Sequence, residues 1–139
     1  MIRKSFFISI IFLAMSAAFG QQADEIIGKY HLPNDLDIEI FKEGEKYFGK
    51  IIALNNFEEG QQKDVNNPDK SKRNDPLAGM IIIKNFEYDP YENQWNKGTM
   101  YGPEKGMIFN LKIIEISEKE IEVVGSKLIL WKTLHWERI

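Results

Sequence analysis

From Gln21 onward, apolar and polar residues alternate with a period of two, and no window of helical length keeps apolar residues at three-and-four spacing. Leu36, Ile38 and Ile40 interleave with Asp37 and Glu39, which puts one set on a buried face and the other toward water. Glu43-Gly44-Glu45 follows where a hairpin turn is required, and a return strand runs over 46–54. The same reasoning predicts strands at 26–31, 79–86, 94–101, 107–116, 120–125 and 128–136. Gly102-Pro103-Glu104-Lys105-Gly106 and Ser117-Glu118-Lys119 supply turns between them. About eight strands joined mostly by short connections imply antiparallel neighbours. In one small domain they imply a closed barrel, because closure removes the unpaired edges of an open sheet. The expected fold is therefore all-β, an antiparallel barrel of about eight strands. A barrel of that size is either filled by its side chains or holds one small ligand.

Composition narrows the partners. The chain has 139 residues, 43% hydrophobic and 28% charged, with no cysteine, so disulfide stapling and thiol redox chemistry are excluded. The first twenty residues hold two of the 18 basic side chains, Arg3 and Lys4, and none of the 21 acidic ones. The remainder thus carries 16 basic against 21 acidic groups, a net charge of −5. That sign argues against nucleic acid, whose binding depends on Lys and Arg, and it disfavours anionic lipid.

Residues 1–20 read as a signal peptide. Met1 to Lys4 is a basic head, Ser5 to Met15 is apolar apart from two serines, and Ala18-Phe19-Gly20 offers small residues for cleavage before Gln21. The apolar run falls short of the ~20 residues of a membrane span, so no stable span is expected after cleavage. The expected organisation is a signal peptide over 1–20 and a single barrel domain over 21–139, exported to the periplasm or secreted.

Asn55 to Pro76 breaks the rhythm as a long polar loop. Loops of this length inside compact domains commonly carry function. Its Asp64-Val65-Asn66-Asn67-Pro68-Asp69 segment offers oxygen ligands of the kind calcium takes, but the EF-hand spacing is absent and an Asx and proline turn accounts for the same residues.

That segment, followed by Arg73, Pro76 and Gly79-Met80-Ile81-Ile82, resembles the signature of the bacterial family catalogued as domain of unknown function 2147. Phe86, Trp95, Gly98, Tyr101, Pro103, Gly106, Gly125, Thr133, Trp136 and Arg138 follow in the family's order. The resemblance implies a small exported barrel similar to calycins, with no established activity. Gly102 stands where the family usually has Asp, and Lys132 where it usually has Arg. Gly28-Lys29-Tyr30 with Arg138 also resembles the lipocalin pattern, in which a late arginine packs over an early aromatic. Gly28, Tyr30, Trp136 and Arg138 are accordingly expected to close one barrel end, a structural role.

Enzymatic signatures are thin. The two histidines, His31 and His135, lie at opposite ends of the domain and outside any H-E-x-x-H helix, so no metal site is expected. No G-x-S-x-G elbow and no glycine-rich phosphate loop is present. No catalytic residue and no cofactor is assigned. The leading expectation is a binding module whose small apolar or lipid-like ligand enters one mouth beside the Asn55–Pro76 loop. The alternative is a structural or interaction protein of the cell envelope with a filled barrel and a loop that engages another envelope protein. Candidate binding residues are Asp64, Asn67, Asp69 and Arg73 on the loop, with Trp95 and Tyr101 lining the mouth.

Overall fold

The computed structural model describes Gly20 and residues 22–139. Apart from Gly20, the segment read as a signal peptide lies outside the described residues.

Eight strands form a closed barrel in chain order, each beside its sequence neighbour. They are β1 (Gly28–His31), β2 (Asp37–Glu43), β3 (Lys46–Ala53), β4 (Ile81–Asp89), β5 (Gln94–Gly102), β6 (Met107–Ile116), β7 (Glu120–Lys127) and β8 (Leu130–Arg138). All pairings are antiparallel. Short 3-10 turns precede β1 (Asp24–Ile26) and interrupt the long β3–β4 connection (Phe57–Glu59 and Lys70–Lys72). The period-two alternation is realised directly: Leu36, Ile38 and Ile40 are fully buried, each worth about 1.5–3 kcal/mol relative to exposure.

Several strand ends shift by one to three residues from the sequence reading, the fourth strand running over Ile81–Asp89 rather than 79–86, and two of the shifts have packing reasons. The first strand starts at Gly28 rather than Ile26, because Asp24–Ile26 forms a 3-10 turn that buries Ile26. The expected break after Gly125 is absent. β7 runs on to Lys127, and the turn falls on Leu128-Ile129, with Lys127 paired to Leu130. Gly125 is a packing glycine: a Cβ there would come within 3.2 Å of the Phe109 ring.

One barrel end is closed from below by the Asp24–Ile26 turn. Arg138 sits with its guanidinium carbon 5.3 Å from the Tyr30 ring centre. It donates from Nη2 to the Glu25 carbonyl (2.8 Å) and from Nε to the Ser117 carbonyl (3.0 Å). Tyr30 donates its hydroxyl to the Ile26 carbonyl (2.7 Å), and burial pushes its pKa up to about 12. Gly28 lies beside the same guanidinium, and Trp136 is buried opposite Ile121 of β7. Gly28, Tyr30, Trp136 and Arg138 thus lie at or near this end.

The opposite end carries the β1–β2, β3–β4, β5–β6 and β7–β8 connections, and its two sides differ. Leu32 and Leu36 from the first connection and Phe57 and Leu77 from the second are buried in the core cluster. Along β6 to β8, burial instead fades toward the mouth. Ile113 and Leu111 are buried, Phe109 is half-buried and Met107 is exposed. Trp136 is buried, Leu134 half-buried and Lys132 exposed. β1 ends too soon to cover this wall: its register with β8 comprises Tyr30↔Arg138 and His31↔Glu137, so residues 130–136 pair with β7 alone.

Candidate functional site

The uncovered inner wall of β6 to β8 forms the floor of an open cleft of about 410 Å³. Phe109, Leu134, Met107 and Trp131 line it, with the main chain at Gly125 giving the Phe109 ring its room. Four charged residues are among its lining. Lys105, Lys127 and Lys132 stand around it, and Glu104 is the single carboxylate among its lining residues. The Glu104 side chain folds back over Gly102, where a Cβ would meet its Oε1 at 3.1 Å and the Phe109 ring at 3.4 Å. Its Oε2 is buried and has no hydrogen-bond partner among the described residues. A buried acceptor without a donor is unusual, since such groups are nearly always paired. An apolar floor with a few polar groups at its edge is the usual chemistry of a small-molecule site.

The β3–β4 loop is tied down by its own side chains. Its hub is Asp64, only 1% exposed. The carboxylate accepts the Tyr101 hydroxyl at Oδ1 (2.6 Å) and the Asn67 amide at Oδ2 (2.7 Å). Burying a carboxylate is costly unless it is hydrogen-bonded, and both oxygens here are engaged. Burial and the Asp64 contact together push the Tyr101 hydroxyl pKa upward. Arg73 donates from Nε to the Asn67 carbonyl (2.7 Å). Asp69 accepts the Ser71 backbone N–H (3.0 Å) and hydroxyl (2.7 Å), capping the Lys70–Lys72 turn. These bonds to Ser71 hold the Asp69 carboxyl below its ordinary range.

The loop is also pinned to the β5–β6 turn. The Asn66 amide donates to the carbonyls of Pro103 (3.2 Å) and Glu104 (3.1 Å). Gly106, at φ +65°, lies so close that a Cβ would overlap the Asn66 carbonyl. Tyr101 alternates with the buried Met100 and Gly102, so its side chain stands on the outer face of β5. The loop therefore braces the outer wall and the rim, and leaves the cleft uncovered.

The candidate residues separate accordingly. Asp64, Asn67, Arg73 and Tyr101 come together, with Asp69 exposed beside them, as the lock that orders the loop. A groove of about 470 Å³ runs between this lock and β4 to β6. Trp95 belongs to the other end of the barrel. It is fully buried, donates Nε1 to the Ala23 carbonyl (2.9 Å) and packs on Tyr88 at 5.0 Å between ring centres. The sequence reading passed over Glu104, Met107, Leu134 and Lys132 as cleft residues. The available signal was the apolar run Leu128-Ile129-Leu130-Trp131, placed where a hairpin turn normally carries Asn, Asp or Gly. Among the described residues no cluster of metal-ligating side chains occurs, and no helix is long and apolar enough to cross a membrane.

An eight-stranded meander barrel with one end plugged by an arginine over an aromatic ring is the lipocalin-like class of fold. A lipocalin-family protein of the human pathogen Helicobacter pylori, HP1028, superposes with a TM-score of 0.73, covering 83% of each chain at 19% identity. That likeness is one of fold. The sequence profile described as "Uncharacterized protein conserved in bacteria (DUF2147)" matches residues 28–138, and the chain belongs to this family. No curated protein matches it in sequence.

Proposed function

We propose that this protein is an exported binding module that takes a small, predominantly apolar molecule with one hydrogen-bond-donating head into the cleft at the open barrel end. The observation that carries the reading is the uncovered apolar wall of Phe109, Leu134 and Met107 beside the unpartnered Glu104 Oε2. An apolar body would lie on the wall, and a hydroxyl or amine would satisfy the carboxylate oxygen. A lipocalin-like barrel fits such a role, because the mouth of a barrel is a common place for a ligand. Export rests on the basic head, apolar run and small-residue site of residues 1–20.

The buried half of the barrel limits the ligand. Tyr30, Trp95, Phe86 and Trp136 fill it, so the occupant rests in the rim. This filled half is also what favours the second reading, an envelope interaction protein that presents Asp69 and Arg73 on its braced loop.

The two readings separate in a titration with N-phenyl-1-naphthylamine, an uncharged dye that fluoresces in apolar sites. Saturable binding that Met107→Trp abolishes by filling the cleft, and that Arg73→Ala leaves unchanged, supports the cleft. Absence of saturable binding, or equal binding in Met107→Trp, refutes it.

A further inference from the structure

The β7–β8 hairpin tip is chemically unlike the rest of the surface. Leu128 is 96% exposed, Ile129 85%, Leu130 74% and Trp131 75%. Four consecutive large apolar residues at a hairpin tip are far from the scattered single exposures of an ordinary surface. Turn chemistry does not ask for them. Leu128 adopts φ +56° at a two-residue turn, a conformation that favours Gly, Asn or Asp. An aliphatic residue held there in strain and in water does nothing for the stability of the barrel.

Charge around the tip points to its occupant. Lys127 and Lys132 flank the four apolar residues in sequence, and Lys105 joins them around the cleft. The chain as a whole is acidic, which is why net charge disfavours anionic lipid. Distribution reverses that expectation locally, since Glu104 is the one carboxylate of the cleft lining and is turned inward over Gly102. Aliphatic residues and a tryptophan ringed by lysines match the layering of a bilayer surface. Apolar groups enter the acyl boundary, tryptophan sits at headgroup depth, and lysines reach back to anionic phosphates.

We infer that the β7–β8 tip is a membrane-docking element: Leu128 and Ile129 insert into an anionic phospholipid surface, Trp131 lies at its interface, and Lys127 and Lys132 bind its headgroups. Docking in this way faces the cleft toward the lipid. The inference goes beyond ligand binding, because the tip engages the bilayer whether or not the cleft is occupied.

The test uses the chain from Gln21 to Ile139, which contains every strand and core residue described. Trp131 is the one exposed tryptophan of three, Trp95 and Trp136 being buried, so its fluorescence reports the tip. With vesicles of phosphatidylcholine containing about a quarter phosphatidylglycerol, its emission shifts to the blue and the protein sediments with the lipid. Added salt weakens both. Leu128→Ser with Ile129→Ser abolishes sedimentation, and Lys127→Gln with Lys132→Gln weakens it on the order of tenfold or more. In Trp131→Phe the blue shift disappears while sedimentation persists in part.

Leu128→Gly relaxes the turn yet weakens vesicle binding, which separates docking from folding. The inference is overturned if these vesicles do not capture the protein, or if the Leu128→Ser and Ile129→Ser pair binds like wild type. It is equally overturned if Trp131 is already shielded in a lipid-free dimer, which would make a second copy the occupant. Vesicle binding reads the tip and the naphthylamine dye reads the cleft, so either can fail alone.

Discussion

The Arg138 guanidinium carbon stands 5.3 Å from the centre of the Tyr30 ring while Nη2 and Nε hold the carbonyls of Glu25 and Ser117. One side chain thus ties β8 to β1, to the Asp24–Ile26 turn and to the β6–β7 connection, at the seam where the barrel closes through only two register pairs. The contact over the ring is worth about 0.5–2 kcal/mol. Each hydrogen bond adds about 1 kcal/mol.

Arg138→Ala is therefore expected to lose about 2–4 kcal/mol in urea denaturation. Tyr30→Phe, which keeps the ring and removes the hydroxyl bond to Ile26, should lose about 1 kcal/mol. A loss in Arg138→Ala no larger than that in Tyr30→Phe would show that the guanidinium contributes no more than a single hydrogen bond.

Asp64→Ala should release the loop more than the barrel. It leaves the Tyr101 hydroxyl and the Asn67 amide without their partner, at a cost of about 1–3 kcal/mol. Trypsin should then cut faster at Lys70, Lys72 and Arg73, while far-ultraviolet circular dichroism stays that of a β-barrel. Arg73→Ala, which removes a single exposed bond to the Asn67 carbonyl, should change the melting temperature little.

Leu128→Gly should stabilise the protein by about 1 kcal/mol, because glycine accepts the positive φ that costs leucine roughly 1–2 kcal/mol. A lower melting temperature in this variant would mean that the Leu128 side chain contributes to folding.

His31 supplies a pH dependence. Its Nδ1 lies 2.6 Å from Asp37 Oδ1, and that hydrogen bond raises its pKa in the folded state, opposed by a smaller cost of burial. A raised folded pKa contributes stability that is fully present below the unfolded value of ~6.5 and is lost as pH rises through the folded value. The difference in melting temperature between wild type and Asp37→Asn should accordingly be wide near pH ~5.5 and narrow near pH ~8.5. A constant difference would exclude the pair as its source.

The strands were legible because alternation is a local property: Leu36, Ile38 and Ile40 declare their face within five residues. The Tyr30–Arg138 contact joins the two ends of the domain, so no local pattern points to it and the resemblance alone suggested it. Two features were hidden for physical reasons. Gly125 ends its expected strand, and only the Phe109 ring packed against it shows what its missing side chain makes room for. Asp64 and Asn67 look like solvent-facing ligands, and their long-range bond to Tyr101 reveals a lock. Trp95 shares its strand with Tyr101, but the alternation is interrupted between Trp95 and Gly98, and the two side chains end on opposite sides of the sheet.

Native mass spectrometry of the protein purified from a cell-envelope fraction tests the cleft most directly. The account predicts a small-molecule adduct on the wild type that persists in Arg73→Ala and is lost in Met107→Trp. A bare wild-type chain, or an adduct that survives Met107→Trp and vanishes in Arg73→Ala, would contradict it.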